Sequence, residues 1–234
     1  MTVALEATGV TLRYGAVTAV DSVDISVAPG ILHGVIGPNG AGKSSFMDAL
    51  SGRRKLSAGT VKLGGQDITK RSVTWRRRNG MARSFQKTSV FGAMTVRTQL
   101  DMVARKTGED DLDGIVDALS LRPYLDEVCS SIAYGHQRRV DIAMALLGRP
   151  QVVLLDEPGA GLSVEESAQM FDHIRALCTD RDVAVVLVEH DVEGVFRVCD
   201  EITVLNLGAV LASGTPADVR AHPEVIKAYL GSEA

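Results

Sequence analysis

Short, mostly aliphatic runs alternate with amphipathic stretches along much of this chain. Ile31 to Ile36, Val152 to Leu155 and Val183 to Val188 are four to six residues long, and the first of them stops at Gly37. Such runs predict strands buried on both faces, the pattern of a parallel sheet with helices on either side. Helical spacing fills the intervals. Lys43 to Leu50 places Phe46, Met47, Ala49 and Leu50 on one side, with Gly52 as a stop, and Val164 to Leu177 and Asp191 to Val198 repeat the pattern. Near the start, Val23 to Val27 alternates weakly, Ala28-Pro29-Gly30 reads as a turn, and Thr60 to Leu63 before Gly64-Gly65 reads as a hairpin arm. A basic helical stretch follows around Trp75 to Arg78, and two short strands, Ile202 to Leu205 and Ala209 to Ala212, close the pattern. Thr95 to Leu147 shows helical periods, interrupted at Gly108 and Pro123, and few strand signals. The fold expected is α/β, with an antiparallel β portion near the start and a helical lobe inserted at about Ser89 to Gly148.

Composition narrows this. With 45% hydrophobic and 23% charged residues among 234, the chain lies in the globular range, away from the disordered corner and from disulfide-stapled mini-proteins. Twenty-five basic against 29 acidic side chains give a formal charge of −4, so no cationic field marks nucleic acid as a partner. Cys129, Cys178 and Cys199 are odd in number and far apart, which suits reduced thiols in a cytosolic setting. Met1 to Val10 has no basic start ahead of an apolar run and does not read as a signal peptide. The most apolar stretch, Val183 to Val188, is far shorter than the roughly 20 residues that span a bilayer.

Three segments carry chemistry. Gly37-Pro38-Asn39-Gly40-Ala41-Gly42-Lys43-Ser44 fits the phosphate-binding pattern Gly-x-x-x-x-Gly-Lys-Ser/Thr between a predicted strand and a predicted helix. Its glycines let successive amide N–H groups face inward, the helix adds its positive end, Lys43 offers a cation to the terminal phosphates, and Ser44 a hydroxyl to Mg²⁺. The pattern arises by accident in about one chain of this length in a hundred, and the flanking elements lower that further. Leu155-Asp156-Glu157-Pro158 ends a second aliphatic strand. Carboxyl ends of parallel strands face the ligand crevice, so Asp156 is expected to hold Mg²⁺ and Glu157 to take a proton from, or orient, the attacking water. An Asp/Glu pair that merely complements a helix dipole is the blander reading, and it loses ground beside the first motif. His190 closes a third strand, where a neutral imidazole would hydrogen-bond the terminal phosphate and the water.

The segment Ser131-Ile132-Ala133-Tyr134-Gly135-His136-Gln137-Arg138-Arg139 resembles the ABC signature, of general form Leu-Ser-Gly-Gly-Gln. Tyr14 is similar to the aromatic that stacks on adenine in that family, and Gln86 to its Q-loop glutamine, which contacts Mg²⁺ or the water. The order Tyr14, phosphate loop, Gln86, signature, Asp156-Glu157, His190 covers nearly the whole chain. The resemblance thus implies a single nucleotide-binding domain over residues 1–234 with a P-loop NTPase, RecA-like core. Its nucleotide-binding set is Tyr14, Gly37, Pro38, Asn39, Gly40, Ala41, Gly42, Lys43, Ser44 and Ser45. Glu157, His190 and Gln86 are its catalytic set, and Ser44, Gln86 and Asp156 its metal ligands. Ala133, Tyr134, Gly135, His136 and Gln137 are implied to act on the ATP of a second subunit in a head-to-tail dimer, homotypic or paired with a related cassette.

Finer pieces resemble the ATP-binding subunits of the branched-chain, or hydrophobic, amino-acid uptake group. They are Gly80 to Gln86, Phe91 with Met94-Thr95-Val96, Asp156 to Leu162, and the ending His222 to Gly231. That resemblance implies an ATPase on the inner face of the cell membrane, working on multi-spanning permease subunits and, indirectly, an external solute-binding protein. A soluble ABC ATPase of the cluster-assembly type is the alternative. Two departures stand out. Ala133 occupies the position of the signature serine, so a hydroxyl that would reach the partner's ATP is missing, and Tyr134 replaces the first glycine. The ATP site completed by this segment is expected to be the weaker of two. Arg76-Arg77-Arg78 reads as a solvated helix face, with lipid contact as the alternative, and Trp75 as packing.

Overall fold

The structure is a computed structural model and describes residues 3–109 and 111–227. The first half contains β1 (Leu5–Tyr14), β2 (Val17–Val27), β3 (Leu32–Ile36), α1 (Lys43–Ser51), β4 (Ala58–Leu63), β5 (Gln66–Asp67), α2 (Val73–Arg78) and β6 (Met81–Ser84). Three helices follow without an intervening strand: α3 (Val96–Thr107), α4 (Leu112–Ala118) and α5 (Tyr134–Leu146). Then come β7 (Val152–Asp156), α6 (Val164–Asp180), β8 (Ala184–Val188), α7 (Val192–Val198), β9 (Glu201–Asn206), β10 (Ala209–Gly214) and α8 (Pro216–Ala221).

The aliphatic runs form the central sheet, in the order β10-β9-β3-β8-β7-β6. β3, β6, β7, β8 and β9 are mutually parallel, and β10 closes one edge antiparallel. Every residue of β3, β7 and β8 is buried, which is why these strands read as runs and not as alternations. In the ladder Val35 and Asp156 both register with Val188. The sequence continues past these strands into Gly37, Glu157 and His190, so parallel pairing delivers all three to one edge. A second, antiparallel sheet, β2-β1-β4-β5, packs with α1 over one apolar cluster that includes Leu5, Val10, Phe46, Leu50 and Val186. The other face of the central sheet carries a larger cluster shared with α3 to α7, including Leu100, Ile115, Val140, Phe171 and Leu187. The expected α/β architecture, antiparallel portion and helical insertion are all present.

Two strands escaped the pattern reading. β1 spans Leu5 to Tyr14, but its alternation is broken where Gly9 adopts φ +58 and the register with β2 and β4 shifts. β6 is Met-Ala-Arg-Ser, an edge strand with no β-branched residue to signal it. The arginine triplet is a correction. Arg76 is 1% exposed and donates to the carbonyl of Leu50 at the C-terminal end of α1 and to those of Ile68 (2.8 Å) and Thr69 (3.1 Å) just after β5. Arg77 donates to Leu147 O at 2.8 Å and Met144 O at 3.3 Å, closing α5. Only Arg78 is exposed. Helix ends leave carbonyls without partners, and these guanidinium groups supply the donors instead of facing solvent or lipid. The three cysteines are buried and free. Among the described residues no helix is long and apolar enough to cross a membrane. The matched ending from Ala228 onward lies outside the described residues.

Candidate functional site

The phosphate loop runs from β3 into α1. Gly42, at φ +101, is the residue before the helix, and no side chain caps the helix's first amides. No acidic residue occupies its first turn either. The orphan N–H groups and the positive helix end are therefore left for an anion, and the uncapped cradle fits a polyphosphate. A Cβ on Gly42 would sit 2.3 Å from Ala19 O, so the turn admits no side chain there. The β9–β10 turn braces the loop from outside, where Gly208 N donates to Ala41 O at 3.0 Å.

Lys43 folds back over this loop. Its Nζ donates to Gly37 O at 2.6 Å and Pro38 O at 3.2 Å, and the residue is only 6% exposed. Burial lowers its pKa, and the nearby carboxylates of Glu157 and Asp156 partly oppose that. A buried ammonium held by two carbonyls is poised to exchange them for a phosphate oxygen. Residues Asn39 to Ser45, Glu157 and His190 line one cleft of about 430 Å³ together with Val17, Leu207 and their neighbours.

Glu157 meets both other residues expected to be catalytic. It follows β7 with φ +50, a left-handed conformation rare for a non-glycine residue, and its N–H donates to Val188 O at 2.8 Å. One carboxylate oxygen accepts from His190 Nε2 at 2.8 Å, the other from Gln86 Nε2 at 2.6 Å. The carboxylate is thus held from both sides by the two other residues expected to be catalytic. His190, expected on the terminal phosphate, and Gln86, expected on metal or water, both engage Glu157 here. Asp156, 6% exposed, shares one oxygen with Arg83 Nη2 at 2.8 Å. Arg83 also reaches Asp48 of α1 at 2.6 Å and Ser51 Oγ at 2.9 Å. Ser44 lines the cleft and Asp156 ends the adjoining strand β7; both offer oxygen donors, the ligand type that fits Mg²⁺ in company with phosphate oxygens and water.

Tyr14 is not among the residues lining the cleft. It ends β1, 41% exposed, with the Arg54 guanidinium 5.6 Å from its ring centroid. The signature residues Ala133 to Gln137 are likewise absent from the cleft lining. They form the start of α5, where Ala133, exposed like Tyr134, precedes the first turn and supplies no cap. Gly135 is buried against Leu162 and Glu166, His136 stacks on Tyr124 with centroids 3.9 Å apart, and Gln137 Nε2 donates to Ile132 O at 3.0 Å. Tyr134 is exposed. The start of α5 is a second uncapped helix end, separate from the first.

Sequence reasoning passed over several contributors. Glu189, 4% exposed, accepts from Gly159 N at 2.6 Å and His190 N at 3.0 Å, and burial pushes its carboxyl up. It ties the segment after Glu157 to the segment bearing His190. Val17 and Leu207 give the cleft an apolar rim, and Arg83 bridges Asp156 to α1. Arg83 and Glu189 lay inside segments already singled out, but the partners that Arg83 finds in Asp48 and Asp156 and Glu189 in Gly159 are remote in sequence and gave no local signal.

Comparison with known proteins fits this site. A model of the family described as "ABC transporter" matches residues 20–160, and one described as "Branched-chain amino acid ATP-binding cassette transporter" matches residues 209–234. The chain is 34% identical to the high-affinity branched-chain amino acid transport ATP-binding protein BraF of Pseudomonas aeruginosa, covering 97% of both chains. It is also 34% identical to the corresponding protein LivG of Escherichia coli K12, again over 97% of each. The ADP form of MJ1267, an ATP-binding cassette of an ABC transporter, superimposes with a TM-score of 0.88 at 26% identity, covering 99% of this chain and 100% of that one. With a phosphate loop, a carboxylate pair and a separate signature helix on one P-loop NTPase scaffold, the chain belongs to the ATP-binding cassettes of the ABC transporter family.

Proposed function

We propose that this chain is the ATP-hydrolysing subunit of an importer for branched-chain amino acids or related small solutes, driving separate membrane permeases from the inner face of the membrane. The observation that carries the reading is the Glu157 carboxylate, held by Gln86 and His190 in the cleft that Lys43 and the phosphate loop form. The names of its most similar relatives favour transport over a cluster-assembly ATPase.

The triphosphate takes the uncapped amides of α1, and Lys43 gives up Gly37 O and Pro38 O to pair with the terminal phosphates. Ser44 and Asp156 would hold Mg²⁺, which would neutralise charge that builds on the phosphate oxygens. Glu157 takes a proton from water as the water oxygen bonds to the γ-phosphorus, and the bond to the β,γ-bridging oxygen breaks to leave ADP. His190 and Gln86 restrain the Glu157 carboxylate, so little reorganisation accompanies the proton transfer.

The signature segment does not share the cleft of its own chain, which supports a head-to-tail pair in which each ATP also meets the partner's Ala133 to Gln137. ATP then joins the two subunits, and loss of the γ-phosphate removes the affinity that favours the closed pair. A groove of about 1,360 Å³ between α2 and α3, with Val73 and Met102 exposed on its walls, is where a permease segment would dock. The experiment is Glu157→Gln. Nucleotide binding is expected to persist while steady-state phosphate release falls by about 100-fold or more; release at the wild-type rate would remove Glu157 from its role.

A further inference from the structure

Arg138 lies in the second turn of α5 and its side chain is wholly enclosed, yet it lines no part of the nucleotide cleft. Its guanidinium donates to the main-chain carbonyls of Asp156 at 2.8 Å, Glu157 at 2.8 Å and Pro158 at 3.2 Å, and also to that of Phe85. Asp141, nearly one turn further along the helix, lies 3.5 Å from the same guanidinium. Its carboxylate accepts from Ser84 Oγ at 2.9 Å and from Ser89 N at 3.0 Å. The pair therefore grips the turn that carries Glu157, and both stems of the loop that carries Gln86.

A wholly buried guanidinium is costly unless its donors are satisfied. Here they are spent on four carbonyls around a strained turn, since Glu157 holds φ +50 without being glycine. Strain of this kind persists only where surrounding contacts over-determine the backbone. We infer that Arg138, braced by Asp141, is a positioning residue for ATP hydrolysis, fixing Glu157 and Gln86 against one another from the helix that opens with the signature segment. One consequence is mechanical. A displacement of α5 at its signature end moves the carbonyls of Asp156 and Glu157 through a single side chain, so engagement of a partner's nucleotide is linked to the aim of this chain's own carboxylate.

This inference rests on the proposed role of Glu157, and the test separates the two. Arg138→Met, Arg138→Lys, Ser84→Ala, Glu157→Gln and the double variant Arg138→Met with Glu157→Gln are prepared in the full chain. Each is assayed for kcat and KM with MgATP, for affinity towards a fluorescent ATP analogue, and for melting temperature. Misplacement of a catalytic group by about 1 Å costs on the order of 100-fold. Arg138→Met is therefore expected to lose about 10- to 100-fold in kcat with analogue affinity within about 3-fold of wild type. Arg138→Lys is expected to recover part of that loss, and Ser84→Ala, which leaves the buried charge pair in place, to show a smaller fall of the same kind. The double variant is expected to turn over no more slowly than Glu157→Gln alone. Wild-type kcat in Arg138→Met overturns the inference, as does a parallel loss of analogue binding, melting temperature and turnover. Should Arg138→Met not fold, Arg138→Lys and Ser84→Ala decide: wild-type kcat in both overturns the inference. Wild-type turnover in Glu157→Gln instead rejects the role assigned to Glu157.

Discussion

Glu157, in the cleft, holds a backbone conformation that its local sequence would rarely adopt unaided. A glutamate at φ +50 is held there by the bond from its own N–H to Val188 O and by Arg138 on its carbonyl. The same site holds a lysine whose charge is disfavoured by burial and supported by two nearby carboxylates. Asp156 is tied in turn by Arg83, whose side chain is 7% exposed. Arg83→Gln is expected to leave metal-free nucleotide binding close to wild type. The Mg²⁺ concentration for half-maximal turnover is expected to rise by about 10-fold, the usual scale for losing a side chain that orients a metal ligand; a Mg²⁺ titration of phosphate release measures it, and an unshifted midpoint counts against the bridge. Lys43, Asp156, Glu157 and His190 were legible because motif and strand end coincide. Arg83, Arg138 and Glu189 were not, because most of their partners lie on other elements, brought near by the fold, and no spacing rule encodes those meetings.

The strands and helices that deliver the site were mostly visible in the hydrophobic pattern. β3, β7 and β8 are uninterrupted apolar runs because helices or the second sheet cover both faces, and α1 and α6 show plain helical spacing. β1 was hidden by the irregularity at Gly9, and β6 by a sequence that owes its strand conformation to pairing with β7. The arginine triplet misled for a related reason. Three adjacent cations look solvated in a sequence, but helix ends packed inside a protein need donors, and Arg76 provides them to α1. Burial lowers its pKa to about 10, so it stays charged at neutral pH. Arg76→Met is expected to destabilise the protein by about 2–4 kcal/mol, since several buried carbonyls lose their donor at once. Urea unfolding monitored by circular dichroism reads this, and a midpoint equal to wild type would remove the capping role.

Taken as a molecule, the cassette has its phosphate-loop helix α1 and its α5 both starting without a side-chain cap, in different environments. α1 opens into the chain's own cleft, and α5 opens at an exposed segment outside it. That division suits a pair of subunits better than a self-sufficient enzyme. Ala133 is the residue where the second helix start is weakest, because a serine there would both cap α5 and reach a phosphate. Ala133→Ser is expected to raise the stability of the chain by about 0.5–1 kcal/mol through the cap. It is also expected to tighten ATP-dependent dimerisation of the Glu157→Gln background several-fold, given that a hydrogen bond to a charged acceptor contributes about 1.5–3 kcal/mol. Sedimentation with and without ATP measures the second effect, and no change there would mean that the missing hydroxyl is immaterial.

The triphosphate grip on α1 underlies all of these expectations, and calorimetric titration of ATP into the wild-type chain and into Lys43→Ala interrogates it directly. Saturable binding at one site per chain in the wild type, weakened by about 100-fold or more in the variant while its melting temperature without nucleotide holds, is the expected result. Equal affinity in the two proteins would contradict it.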